Sequence, residues 1–244
     1  SSSSSSIAMC EQYWHRGIIF ANNQNYARYL QELPANYCTP HLFCQMVQRD
    51  LLLLLDDVHH GNKSDNDAES KMKIMIRDRE WAQSHEMNSF LSVSNGSDEP
   101  PFVLECTYRN KGKNKNKNNG DSSDSSDSCT SDNGGGGGDW DLVLVGKGVT
   151  FDCGGYSIKH RTGMKLMKSD QGGACTVVAL FRSIVQLSLP INVAIVCMMT
   201  ENMINGRATR PGDVVTASNG KTIEVDNTDA EGRLALADGL VYAS

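Results

Sequence analysis

The octapeptide NTDAEGRL, residues 227–234, brings two carboxylates and a cation close together in sequence. Asp229 and Glu231 are separated by one residue, and Arg233 follows two positions later. Carboxylate oxygens are the hard ligands that many divalent metal ions prefer in proteins. The octapeptide therefore favours a site for a hard, oxygen-ligated metal ion.

A second cluster of chemically capable residues, VGKGVTFDCGG, lies upstream at residues 145–155. It contains Lys147 and Asp152, and it is followed by Lys159 and Asp170. Ligands in open α/β sheets bind beyond the carboxyl ends of the strands, and we expect this cluster to follow a buried strand directly. Its glycines would let the backbone turn tightly beside a ligand. The two clusters together supply carboxylates and lysines for one metal-dependent site.

Each of these residues also has an ordinary structural interpretation. Residues 228–231, TDAE, match a capping box ahead of an apolar helical segment. Residues 145–155 would also fit a glycine-rich turn at the surface. Taken alone, Lys159 would be a solvated lysine, Asp170 a helix cap and Arg233 a charge on a helix surface. These interpretations remain open at the level of the local pattern.

The pair Gly146 and Lys147 is similar to the end of a Walker motif, so a phosphate-binding loop is a further possibility. The Walker pattern requires Ser or Thr after the lysine, but this chain has Gly148 there. The glycine that the pattern requires upstream would fall at Asp141. The sequence therefore argues against nucleotide binding.

The composition excludes several classes of function. The net charge is −6, and the lysines of residues 111–117 alternate with Asn and Gly instead of aromatics, so we expect no nucleic-acid partner. No apolar run approaches the ~20 residues that a membrane span requires, so we expect no membrane association. The chain contains 8 cysteines without a CxxC pair. This usage is typical of a reduced intracellular protein, and we expect a cytoplasmic location.

Strand and helix patterns alternate along the chain and predict its fold class. Apolar spacing predicts helices over residues 17–33, 41–55 and 173–187 and from Ala230 to the end. Residues 56–70 are polar and predict a loop. Short apolar runs predict strands over residues 71–76, 102–107, 141–145 and 191–199, with a hairpin around residues 218–220. We therefore predict an α/β fold, a three-layer domain with a mixed, largely buried central sheet flanked by helices.

Residues 109–139 interrupt this regular pattern. They consist of a Lys/Asn run, a Ser/Asp run and five consecutive glycines. Such a composition cannot bury enough apolar surface to offset the entropy of ordering. We predict a disordered low-complexity insertion within a single domain that spans residues 1–244.

The two clusters resemble the leucyl aminopeptidase (cytosol aminopeptidase) family. The resemblance depends on the octapeptide at residues 227–234, on KGVTFD within residues 145–155, and on Lys159 and Asp170 at the spacing of the family. Residues 25–40, NYARYLQELPANYCTP, are similar to the family's entry into its catalytic domain. Membership would imply a two-metal aminopeptidase that hydrolyses the amino-terminal residue, of leucine type, from peptide substrates.

The resemblance also implies which residues bind the two divalent ions, zinc or manganese. Asp152 and Glu231 would bridge both ions. Lys147 and Asp170 would complete the tighter site, and Asp229 the more exchangeable one. A lysine binds a metal only as the neutral amine, so the metal would have to displace its proton.

By the same resemblance, two residues would act on the substrate. Lys159 would remain cationic and stabilise the oxyanion of the tetrahedral intermediate. Arg233 would hold a bicarbonate ion, a second cofactor, as the general base. Paired metal ions would activate a water molecule as the nucleophile.

The resemblance further implies a homohexamer when the protein is full length. Family members continue beyond residue 244, so we expect this chain to be truncated at its carboxyl end. A catalytically dead fragment that keeps the fold and the metal ligands, and acts as a binding or assembly subunit, is the alternative function.

Overall fold

The apolar segments of the sequence form two β-sheets and seven helices in the part of the chain that the structure, a computed structural model, describes (residues 2–61, 72–110 and 140–244). The strands are β1 (Met72–Arg77), β2 (Phe102–Arg109), β3 (Leu142–Asp152), β4 (Asn192–Asn202), β5 (Asp213–Thr216) and β6 (Thr222–Val225). The helices are α1 (Ser2–Glu32), α2 (Pro40–Gly61), α3 (Arg79–Ser84), α4 (Asn88–Ser94), α5 (Arg161–Met164), α6 (Gly172–Gln186) and α7 (Glu231–Ala243). Short 3-10 segments lie at Ala35–Tyr37, Lys165–Ser169 and Thr228–Ala230.

The main sheet is mixed, with the strand order β1-β2-β4-β3. β4 pairs in parallel with β3 and antiparallel with β2, and β2 pairs antiparallel with β1. β4 is buried along almost its whole length because helices cover both faces of the sheet. β5 and β6 form the predicted hairpin as a separate antiparallel pair.

Two apolar layers enclose the main sheet. On one face, Leu30 of α1, Phe43 of α2 and Phe181 of α6 pack against alternate residues of β4. On the other face, Phe90 of α4 and Ala235 of α7 pack against the intervening residues of β4. The predicted three-layer α/β domain with a buried mixed sheet is therefore confirmed.

The structure corrects the predicted extent of β3. The strand does not end at residue 146 but continues to Asp152, with an irregularity in its pairing with β4 between Val149 and Phe151. Gly146 lies inside the strand, where a Cβ atom would come within 2.8 Å of the Cα atom of Ala174. This glycine therefore allows α6 to pack closely on β3, instead of forming the expected turn.

Other boundaries also differ from the sequence prediction. α2 continues to Gly61, so the predicted loop over residues 56–70 is wrong for residues 56–61. Residues 62–70 lie outside the described residues. The predicted insertion, residues 109–139, lies outside them as well, except for Arg109 and Asn110. Across the described residues, no helix combines the length and the apolar character needed to cross a bilayer.

Candidate metal centre

The residues of the two sequence clusters meet at the carboxyl ends of β3 and β4. Asp152 is the last residue of β3, and only 1% of its surface is exposed. Glu231 is the first residue of α7 and is likewise buried. Asp229 lies in the 3-10 turn just ahead of that helix. The topology thus places three carboxylates from two separate segments at one end of the sheet.

The turn that carries Asp229 is not the capping box that residues 228–231 suggest. The side chain of Asn227 caps it, accepting a hydrogen bond of 2.8 Å from the backbone nitrogen of Asp229. The hydroxyl of Thr228 instead donates to the carbonyl of Gly154 and accepts from the backbone nitrogen of Ser157. Thr228 therefore joins the two clusters and does not cap a helix.

Lys147 extends from β3 and pairs with two of the carboxylates. Its Nζ atom lies 2.8 Å from Oδ2 and 2.9 Å from Oδ1 of Asp170, and 2.7 Å from Oε1 of Glu231. Burial alone would lower the pKa of Lys147, but the hydrogen bonds to these two partners raise it above the ordinary value for lysine. In this arrangement Lys147 is an ammonium ion.

Lys159 makes the corresponding pair of contacts on the other side of the cluster. Its Nζ atom lies 2.8 Å from Oδ2 of Asp152 and 2.5 Å from Oδ1 of Asp229. Burial opposes its charge, yet the two carboxylates raise the pKa of Lys159 well above the ordinary range. Its backbone nitrogen donates to the carbonyl of Cys153, which holds the loop that carries it against the end of β3.

The carboxylates are close enough to share an ion. Each of Asp152, Asp229 and Glu231 offers an oxygen within 4.8 Å of the others. With Asp170 they make four carboxylates against two ammonium groups, an excess of two negative charges if all are ionised. Burial raises the pKa of Glu231 and of Asp170, and the neighbouring Asp152 raises both further, while Lys147 lowers them.

Three buried carboxylate oxygens of this cluster accept no hydrogen bond from the residues that the structure describes. Oε2 of Glu231 is buried and accepts no hydrogen bond from any described residue. Oδ2 of Asp170 and Oδ1 of Asp229 lie at ion-pair distance from a lysine nitrogen but without hydrogen-bond geometry, so charge attraction holds them. A buried oxygen without a donor is costly. Its position among further carboxylates fits divalent metal ions.

Glycines provide the space that the cluster needs. A Cβ atom at Gly232 would lie 2.8–3.0 Å from the end of the Lys147 side chain. Gly154 has a φ of +91°, and a Cβ atom there would lie 2.4 Å from the carbonyl oxygen of Ser157 and 3.1 Å from Oδ1 of Asp229. The backbone can approach the charged groups at these positions because no side chain intervenes.

Arg233 is the predicted site residue that the structure does not join to this cluster. It lies on α7 two residues after Glu231, its side chain is exposed, and it forms no ion pair with the described residues. The other six predicted residues contact one another directly or through a shared lysine. They are Lys147, Asp152, Lys159, Asp170, Asp229 and Glu231.

Sequence reasoning missed Asn202, which contacts the cluster from the end of β4. Its Nδ2 atom donates to Oδ1 of Asp152 at 2.8 Å. The signal was its place at the end of an almost fully buried strand, beside the strand that ends in Asp152. Local spacing did not reveal it, because the two residues are 50 positions apart.

Comparison with known proteins identifies close relatives. The profile of the Cytosol aminopeptidase family, catalytic domain, matches residues 25–119 and 131–244. The cytosol aminopeptidase of Sus scrofa is 44% identical over 233 residues, which cover 96% of this chain and 38% of that protein. The cytosol aminopeptidase of Dictyostelium discoideum is 42% identical with the same coverage. The probable cytosol aminopeptidase of Herminiimonas arsenicoxydans is 37% identical, covering 98% and 40%.

The solved structures give a concordant result. The bottromycin maturation enzyme BotP in complex with Mn superposes with a TM-score of 0.71 and 30% sequence identity. The match covers 94% of this chain and 41% of BotP. The chain therefore spans about two fifths of the length of the relatives it matches.

Proposed function

This chain belongs to the cytosol aminopeptidase family, and from that membership we propose that it supplies the metal-binding part of a two-metal aminopeptidase. The observation that carries the proposal is the convergence of four carboxylates and two lysines, with a buried oxygen of Glu231 left without a donor. The substrates would be peptides with a free amino terminus, and leucine is the proposed first residue. The proposed location is the cytoplasm.

The proposed metal ligands are five of the converging side chains. Asp152 and Glu231, the two most buried of the four carboxylates in the cluster, would bridge both ions. Lys147 and Asp170 would complete one site and Asp229 the other. Zinc or manganese would polarise the scissile carbonyl and activate water. Manganese accompanies BotP in its solved structure. Two divalent cations would more than offset the negative excess of the cluster.

Two cationic side chains have proposed roles toward the substrate. Lys159 would stabilise the oxyanion of the tetrahedral intermediate, because its raised pKa keeps it charged beside the ligand carboxylates. Arg233 would hold bicarbonate as the general base, and its exposed guanidinium would be accessible to such an anion. The assembled protein would be a homohexamer, which sedimentation analysis of the full-length protein would test.

Hydrolysis of leucyl-amide substrates tests the function. We expect release of leucine that depends on added zinc or manganese and stops with a chelator. The matched control is N-acetyl-leucyl-amide, whose blocked amino group should prevent hydrolysis. Equal cleavage of the blocked substrate, or cleavage that a chelator leaves unchanged, would contradict the proposal. Metal binding without hydrolysis would support the alternative of a binding or assembly subunit.

A further inference from the structure

Asn202 joins two of the segments that carry the carboxylates. It is the last residue of β4, and 4% of its surface is exposed. Its Nδ2 atom donates to Oδ1 of Asp152 at 2.8 Å and to the carbonyl oxygen of Thr228 at 3.0 Å. Both partners are acceptors, so the nitrogen and not the oxygen of the amide must face them. One side chain thus uses both of its N–H groups at the candidate centre.

The first of these bonds sets the orientation of the Asp152 carboxylate. Oδ1 accepts from Asn202 and also from the backbone nitrogen of Gly154, each at 2.8 Å. Two donors on one oxygen fix the plane of the carboxylate. The other oxygen, Oδ2, is thereby directed toward Lys159.

The second bond positions the segment that carries two further carboxylates, Asp229 and Glu231. Thr228 directly precedes Asp229, and its carbonyl is held by Asn202 while its hydroxyl donates to the carbonyl of Gly154 at 2.7 Å. The backbone nitrogen of Cys153 in turn donates to the carbonyl of Asn202 at 2.9 Å. The ends of β3 and β4 and the turn before α7 are therefore locked together around this amide.

From these contacts we infer that Asn202 is a positioning residue for the metal centre. Like-charged carboxylates repel one another, so the protein must hold them together before cations bind. Asn202 does so by fixing the distance between Asp152 and the turn that contains Asp229, without contacting a metal itself. The inference rests on the proposed metal-dependent function. Partners of this kind typically contribute about 10- to 100-fold to metal affinity.

Asn202→Leu and Asn202→Ala test the inference, with Asn23→Leu and Asn23→Ala as matched controls. Asn23 is buried to a similar degree, and its Nδ2 atom also donates to two acceptors, the carbonyl of Ile19 and Oε1 of Gln186, away from the centre. Leucine preserves much of the volume but cannot donate a hydrogen bond. Asn202→Ser, whose single hydroxyl donor cannot serve both acceptors, replaces the leucine variant if that one does not fold.

The readouts are the Kd for Mn²⁺, measured by competition with a fluorescent chelator, and the Tm without metal. We expect the Asn202 variants to bind Mn²⁺ about 10- to 100-fold more weakly than the Asn23 variants at a comparable Tm. Unchanged Mn²⁺ affinity in folded Asn202 variants, or equal weakening in the Asn23 variants, would overturn the positioning role of Asn202. Neither result would contradict the proposed metal centre. A wild-type chain that binds no Mn²⁺ would overturn the metal centre and this inference together.

Discussion

The side-chain nitrogen of Lys147 lies 2.7 Å from Oε1 of Glu231, joining the middle of β3 to the first residue of α7. The adjacent Gly232 leaves room for this contact, since a Cβ atom there would come within 2.8 Å of the lysine side chain. Lys147 therefore lies between Asp170 and Glu231 as an ammonium ion. It can become a metal ligand only by giving up a proton.

Metal affinity should consequently rise with pH. The carboxylates raise the pKa of Lys147, so its ammonium form dominates at neutral pH. The free-energy cost of displacing that proton by a metal ion falls as the pH rises. We expect the Kd for Mn²⁺ to fall by up to about tenfold per pH unit between pH 6 and 8. Lys147→Met, which removes the titrating amine, should bind more weakly and with a smaller pH slope. An unchanged slope in that variant would exclude Lys147 as a ligand.

The bridging role proposed for Asp152 and Glu231 gives a second prediction. Asp152→Asn and Glu231→Gln each remove a charge that both ions would share, so each variant should lose both metals and hydrolysis together. Metal analysis of the purified proteins measures the stoichiometry. Asp98→Asn is the control, because 96% of its side chain is exposed. Wild-type stoichiometry in either bridging variant would contradict the two-metal assignment.

Lys159 should affect turnover and not metal content. Lys159→Ala removes a cation that repels the ions, so metal should bind at least as well as in the wild type. Turnover should fall by about two to three orders of magnitude, the usual loss for one oxyanion-stabilising donor. Lys168→Ala is the control, since Lys168 is similarly half-buried but pairs with Glu32. Near-normal turnover in Lys159→Ala would assign the lysine a structural role only.

The fold was predictable largely because β4 and the helices around it have strong apolar patterns. Residues 191–199 are almost all apolar, which predicted a strand buried on both faces, and the structure agrees. The length of β3 was not predictable in this way. Gly146 and Gly148 indicate a turn when read locally, yet they are required for packing against α6 and β4. Tertiary contact, which the local pattern does not contain, decided their conformation.

The candidate site was predictable to a different extent. Spacing and the family resemblance singled out the carboxylates that we propose as metal ligands. The resemblance also suggested roles for Lys147 and Lys159, and the structure brings both lysines into contact with those carboxylates. The capping box at residues 228–231 was wrong because the hydroxyl of Thr228 bonds to a distant loop. Asn202 was missed for the same reason, since its partners become neighbours only when β3 and β4 pair.

Shortening the predicted insertion should have little effect on folding. The family profile does not match residues 120–130, and the residues that flank the insertion are already close together. The guanidinium carbon of Arg109 lies 3.9 Å from the ring centre of Trp140. Loop length changes closure entropy only slowly, so deleting residues 120–130 should move the Tm by no more than about 2 °C. A substantial fall in Tm would show that this segment packs on the domain or bridges subunits.

Stability should depend on pH through Glu201, which lies outside the charged cluster. Burial raises the pKa of this carboxyl above its ordinary value of 4.5, a hydrogen bond of 2.6 Å from Ser97 lowers it, and Glu99 raises it again. The folded state therefore holds the proton more tightly than the unfolded state. The corresponding stability is fully present below about pH 4.5 and is lost as the pH rises through the raised value.

Glu201→Gln imitates the protonated form and can still accept the hydrogen bond from Ser97. We expect its Tm to exceed that of the wild type at pH 7 by an amount on the order of a few degrees, because the variant avoids burying a charge. The difference should shrink as the pH falls and vanish below about pH 4.5. Glu224→Gln, at an exposed position on β6, is the control and should follow the wild type throughout. A Tm difference for Glu201→Gln that stays constant from pH 4 to pH 8 would show that packing, and not charge, is responsible.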